Sequence, residues 1–180
     1  NDWNNPGNWN QSTIPNATSD VIIQTGAARN PRVNIAGALA KSLVVQTGMT
    51  LLLDTGVGNL TVSNNMTVNG TVTHSSDAVL NLGGGELRID GGTYNHTGDG
   101  PINAANADMR ILNLGVYNFN SQATVTVQDV YVDNMGTFSD TTADGTLNVR
   151  DFNVMPNGQF TGTRAGTSYN ITGNFVNDGS

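Results

Sequence analysis

Along most of this chain apolar and polar residues alternate in short runs, and the runs return at a fixed interval. Val72, Tyr94, Tyr117, Phe138 and Phe160 each stand two residues after a glycine. Most have polar neighbours: Thr71/Thr73, Thr93/Asn95, Thr137/Ser139 and Gln159/Thr161. Such alternation marks a short strand with one buried face. Two further sets of alternating pairs precede each glycine. The nearer set includes Met66/Val68, Leu87/Ile89, Met109/Ile111, Val130/Val132 and Phe152/Val154. The farther set includes Leu60/Val62, Leu80/Leu82, Val125/Val127, Leu147/Val149 and Tyr169/Ile171. The glycines Gly26, Gly48, Gly70, Gly92, Gly115, Gly136, Gly158 and Gly179 step by 22 residues, with one-residue slips around Gly115 and at the end.

Three strands and three Asn-, Asp- or Gly-rich corners per 22 residues predict one coil of a right-handed parallel β-helix. A coil cannot bury its inward residues alone; stacking aligns them into a continuous core. The period predicts an all-β rod of about eight coils, rising roughly 4.8 Å per coil. An antiparallel sandwich also has short strands at regular spacing, but it does not require a glycine at a constant period. Residues 1–20 read as an N-terminal capping segment, and 21–180 as one continuous repeat domain. Within the cap, Trp3, Trp9 and Ile14 are expected to form an apolar underside over the first coil. The alternative is an aromatic platform for carbohydrate.

Composition narrows the partners. Charged residues are 12% of the chain, and seven basic against 14 acidic side chains give a net charge of −7. One lysine, Lys41, and no basic cluster leave nothing to replace the counterions of a nucleic acid or to dock on anionic lipid. No apolar run approaches the roughly 20 residues that cross a bilayer as a helix, so membrane insertion is not expected. The absence of cysteine excludes disulfides and thiol chemistry. The start at Asn1, without methionine or leader, reads as a processed protein or a fragment.

The opening pattern Trp3…Pro6-Gly7-Asn8-Trp9…Pro15…Asp20-Val21-Ile22-Ile23 resembles the start of large secreted surface proteins of the Bacteroidota, where such a segment leads into β-helical repeats. The later stretches "LTVSNNMTVNGTV" and "GELRIDGGTYNHTG" are similar to those repeats, so the resemblance spans nearly the whole chain. It implies export, a cell-surface or extracellular location, and structural or adhesive roles. The sorting domain usual at the C-terminus of such proteins is not recognisable here.

Candidate chemistry is sparse. His74 and His96 each follow a ruler glycine by four residues, and Asp77 and Asp99 superpose at the same step. Two imidazoles and two carboxylates on adjacent coils form a weak candidate for a divalent metal. The competing reading is one structural unit written twice, because the surrounding Gly-Thr and apolar positions match equally well. Arg88 and Arg150 beside Asp90 and Asp151 suggest surface ion pairs. Gly98–Ala107, the least repeat-like stretch, reads as a protruding corner or the wall of a cleft. The Asn-x-Thr sequons at Asn16, Asn59, Asn65, Asn69, Asn95 and Asn170 follow from the composition.

No catalytic residue and no cofactor is assigned. The expected function is a non-enzymatic extracellular module, a segment or subunit of a bacterial surface fibre stacking end to end. Its partners are then other copies of itself, head to tail, or further repeats of the same chain. The alternatives are a lateral glycan-binding adhesin, a polysaccharide-active β-helix enzyme and an ice-binding surface of Thr-x-Thr ladders such as Thr71/Thr73 and Thr124/Thr126.

Overall fold

The computed structural model of the chain describes residues 2–54, 56–141, 144–162 and 166–180. Among these residues the secondary structure is 21 strands and one short 3-10 turn at Pro6–Asn8. The strands form three parallel sheets. The first stacks eight: Asp20–Ile23, Ser42–Val45, Met66–Val68, Gly85–Asp90, Ala107–Leu112, Asp129–Val132, Asp151–Val154 and Phe175–Asn177. The second stacks six: Thr50–Leu53, Thr71–His74, Thr93–His96, Val116–Phe119, Thr137–Asp140 and Gln159–Gly162. Single bridges from Leu52 to Arg32 and from Arg32 to Asp2 extend it at its start. The third stacks seven: Ala38–Ala40, Asn59–Val62, Val79–Leu82, Ile102–Ala104, Thr124–Val127, Thr146–Val149 and Ser168–Ile171.

Every strand pairs with the strand one turn away, never with its neighbour in sequence. The molecule is therefore a parallel β-solenoid of about seven turns, and Phe175–Asn177 opens an eighth. The alternation read from the sequence is the alternation of the structure. Met66/Val68, Leu87/Ile89, Met109/Ile111, Val130/Val132 and Phe152/Val154 line the core from the first sheet. Val72, Tyr94, Tyr117 and Phe138 line it from the second, and Leu60 through Leu147 from the third. Only the last coil departs: Phe160, Tyr169 and Ile171 are half-buried, because no further coil covers them.

The glycine period conceals a change of phase. Thr50 lies opposite Thr71, which makes Met49, not Gly48, the counterpart of Gly70. Gly26 and Gly48 are instead turn residues in the left-handed region, at φ +82° and +80°, where glycine avoids the Cβ penalty. From Gly70 onward the reason is close approach: a Cβ on Gly136 would sit 2.1 Å from the Ile111 carbonyl oxygen.

Two other expectations are corrected. Gly98–Ala107 forms neither a protrusion nor a cleft, since Ile102–Ala104 is an ordinary strand of the third sheet with Ile102 and Ala104 buried. Gly98 and Gly100 lie against the backbone of Ser75–Ala78 one coil earlier, and that tight packing made the stretch look irregular. In the cap, Trp3 is fully buried and Trp9 packs edge-on against it at 5.0 Å. Ile14, by contrast, is 39% exposed and takes no part in the underside. The cap is held by sheet and side-chain bonds: Trp3 N–H donates to the Arg32 carbonyl (2.8 Å), and Trp9 Nε1–H to the Trp3 carbonyl (2.8 Å).

Candidate functional site

His74 and His96 are the fourth residues of consecutive second-sheet strands, two positions after Val72 and Tyr94. Strand parity therefore turns both imidazoles into the core, where they are fully buried. Their rings stack at 4.4 Å with an interplanar angle of 4°. Each is bonded on both nitrogens. His74 Nε2 donates to the Ala78 carbonyl (2.6 Å), and its Nδ1 accepts from the Tyr94 hydroxyl (3.1 Å). One coil later His96 repeats the arrangement with the Gly100 carbonyl (2.8 Å) and the Tyr117 hydroxyl (2.9 Å).

The carbonyl partners place a proton on Nε2, and burial keeps the rings neutral, so Nδ1 is left to accept from the hydroxyl. Burial lowers the His74 pKa, and burial together with the neighbouring His74 pushes His96 down to about 3. Burial also raises both tyrosine hydroxyls, so they remain donors. Asp77 and Asp99 lie on the outer corner, exposed, and Asp99 accepts from the Gln122 N–H at 3.1 Å. The four residues named from the sequence thus separate into an inner pair and an outer pair. Among the described residues no three His, Cys, Asp or Glu side chains are grouped to hold a metal ion.

The same inward ladder contains a further polar group, Asp140, to which the sequence reading gave no role. It runs Trp3, Val33, Leu53, His74, His96, Phe119, Asp140, Gly162 by register. Asp140 is buried, and the Tyr169 hydroxyl donates to it from the third sheet. The signal was available: Asp140 stands two residues after the inward Phe138.

The outer faces divide by charge. At the strand positions facing outward on the second sheet stand Thr71/Thr73, Thr93/Asn95, Val116/Asn118 and Thr137/Ser139. On the third sheet Asn81 bonds Thr61, Asn103 bonds Asn81, Asn148 bonds Thr126 and Asn170 bonds Asn148, an amide and hydroxyl ladder without ions. The first sheet carries the charge instead. Glu86, Asp108, Asp129 and Asp151 follow one another by register, beside Arg88 and Arg110. They are paired locally. Arg110 Nε meets Glu86 at 3.2 Å, Arg88 Nε meets Asp90 at 3.1 Å, and Arg150 Nε donates to the buried Asp129 at 2.9 Å. The Arg110 guanidinium also lies 4.6 Å above the Tyr131 ring. Asp108, short of partners, is raised by burial and by the adjacent Asp129.

The two ends differ as well. At the start, Trp3 is covered and Trp9 half-covered. At the finish, Phe160, Tyr169 and Ile171 are partly uncovered and Phe175 is 52% exposed.

A family model described as a domain of unknown function (DUF8693) matches residues 1–82. The match takes in the cap and the coils up to the end of the strand Val79–Leu82, and so includes His74 but not His96. No curated protein and no solved structure matches the chain.

Proposed function

We propose that this solenoid is a non-enzymatic structural and adhesive module of an extracellular surface protein, a segment of a fibre that continues end to end by stacking of coils. The observation that carries this reading is the stacking itself: every strand pairs with the strand one turn away, so each coil is completed by the coil laid on it. Unpaired edges beside uncovered apolar residues are a template for strand addition. Further repeats of the same chain or a second copy supply that addition. The resemblance of the opening segment to exported surface proteins supports an extracellular location. The paired histidines have no part in this reading, because they are buried with both nitrogens bonded.

A lateral glycan-binding role is the second reading. It is favoured by the two faces of hydroxyl and amide groups, which offer hydrogen bonds to a neutral polymer without the cost of stripping water from ions. Electron microscopy of the purified chain across a concentration series separates the two. Filaments that lengthen with concentration are expected. Isolated short rods at every concentration would overturn self-stacking and leave the lateral faces as the binding surface.

A further inference from the structure

The outward face of the third sheet carries one pattern twice. One column of its side chains runs, by register, Thr61, Asn81, Asn103, Thr126, Asn148, Asn170. It is Thr-Asn-Asn followed by Thr-Asn-Asn, and each set is joined rung to rung. Asn81 Nδ2 donates to Thr61 Oγ1 (3.5 Å), and Asn103 Nδ2 to Asn81 Oδ1 (3.0 Å). Asn148 Nδ2 donates to Thr126 Oγ1 (3.3 Å), and Asn170 Nδ2 to Asn148 Oδ1 (2.8 Å). All four bonds point to the earlier coil, so the two sets share their sense as well as their composition. Equivalent groups lie three rungs apart, roughly 14 Å at the ordinary strand spacing. The second sheet has one such bond among the described residues, Asn118 to Asn95.

The ladder bonds leave hydrogen-bonding capacity over. A side-chain amide has two N–H donors and an oxygen with two lone pairs. Asn81 and Asn148 each use one donor and one acceptor on the neighbouring rungs, which fixes the side chain and leaves one of each. Beside the second set runs a column of hydroxyls, Thr124, Thr146 and Ser168; beside the first stand Val79 and Pro101. No charged side chain lies within these strands. The first sheet instead carries the acidic column of Glu86, Asp108, Asp129 and Asp151, and the whole chain has a net charge of −7. An anionic polymer is therefore repelled and a basic one is drawn to the first sheet. A neutral partner suits the third.

We propose that the third-sheet face binds a neutral, extended β-1,4-linked polysaccharide laid along the solenoid axis. Such a chain advances by about one strand spacing per sugar, so successive hydroxyls meet the spare amide groups of successive rungs. Two identical sets in tandem fit a polymer, whose repeating units present the same groups again; a small ligand needs only one. Because the ladder already holds the amides in place, little side-chain freedom is lost on binding. A face without ions also gives up no ionic hydration when the glycan covers it. This rests on the lateral-binding reading and gives it a face and a ligand class.

The test is co-sedimentation of the purified chain with microcrystalline cellulose and with chitin, against calcium alginate beads as the acidic control. The parent chain is expected to sediment with at least one of the neutral polymers and not with alginate. Asn81→Asp with Asn148→Asp puts a carboxylate in each set and should weaken binding about tenfold or more, because an ion is then desolvated without a partner. Thr73→Asp with Asn118→Asp, the same change on the second sheet, should leave binding as it was. Thr124→Lys alters the third-sheet face at an exposed position outside the ladder bonds, and should weaken binding even if melting curves show that the aspartates harm the fold. Binding lost in the second-sheet variant and kept in both third-sheet variants would refute the face while the lateral reading stands. Sedimentation with alginate instead would refute the neutral ligand. Sedimentation with none of the three would remove the lateral reading and the proposal with it. Filament formation has no bearing on any of these outcomes, because the face is lateral.

Discussion

At the scale of single residues, the His96–Tyr117 pair shows what a buried polar group costs and what replaces it. One coil on, Phe119 and Phe138 occupy the same two positions. His96→Phe is expected to destabilise the fold by about 2–4 kcal/mol, because the Tyr117 hydroxyl and the Gly100 carbonyl both lose their partner. Adding Tyr117→Phe should recover about 1 kcal/mol of this, with the carbonyl still unmatched; urea unfolding at pH 7 measures both. The pH dependence has a definite sign. An unfolded histidine binds a proton below its ordinary value of 6.5, whereas folded His96 does so only near 3. Stability contributed by the neutral ring is therefore complete above pH 6.5 and is lost as pH falls, by up to about 1.4 kcal/mol per pH unit. The double variant should lose less stability than the parent between pH 6.5 and 5; equal slopes would place the acid sensitivity elsewhere. The orientation of these histidines was legible in the sequence from strand parity. Residue chemistry drew attention to a metal first, yet Val72 and Tyr94, two positions before them, already point inward.

At the scale of the strand and its corner, glycines that look alike act for different reasons. Gly136→Ala places a Cβ 2.1 Å from a backbone oxygen of the preceding coil, which no rotamer relieves. A loss of about 3 kcal/mol or more is expected. Gly48→Ala meets nothing within 4 Å and bears only the cost of a left-handed backbone, about 1–2 kcal/mol. Denaturant midpoints of the two variants decide this, and similar losses would remove the distinction. The 22-residue spacing could not reveal it, because the corner after Val45 is two residues longer than the one after Val68, which keeps the glycines evenly spaced while shifting their place in the coil. The inward sets of all three sheets were legible because alternation is set locally by each strand. Gly98–Ala107 was not, since its small residues fit a close contact with the coil before it, and contact between coils leaves no period of its own. Ile14 was misplaced for the related reason that the cap follows no repeat.

At the scale of the whole molecule, a solenoid holds together by contacts between neighbouring coils, and its ends are its weakest parts. Amide exchange should be slowest in the strands from Met66 to Val132 and fastest from Gln159 onward. The Trp3 end should be the better protected of the two; the reverse order would contradict the closure assigned to Trp3 and Trp9. The ladder Trp3, Val33, Leu53, His74, His96, Phe119, Asp140, Gly162 has a consequence for how such a chain finds its structure. Coils of nearly equal length and similar pattern can stack out of order, skipping one and still burying apolar surface. Here nearly every coil presents a different group at that position, and each polar one meets a hydroxyl from the next coil: Tyr94 for His74, Tyr117 for His96, Tyr169 for Asp140. A stack that skipped the coil of Val116–Phe119 would put Phe138 where Tyr117 stands and take from His96 the hydroxyl that its Nδ1 accepts from. The buried hydroxyl, imidazole and carboxylate groups thus work as a counting device, letting a monotonous sequence assemble its turns in order.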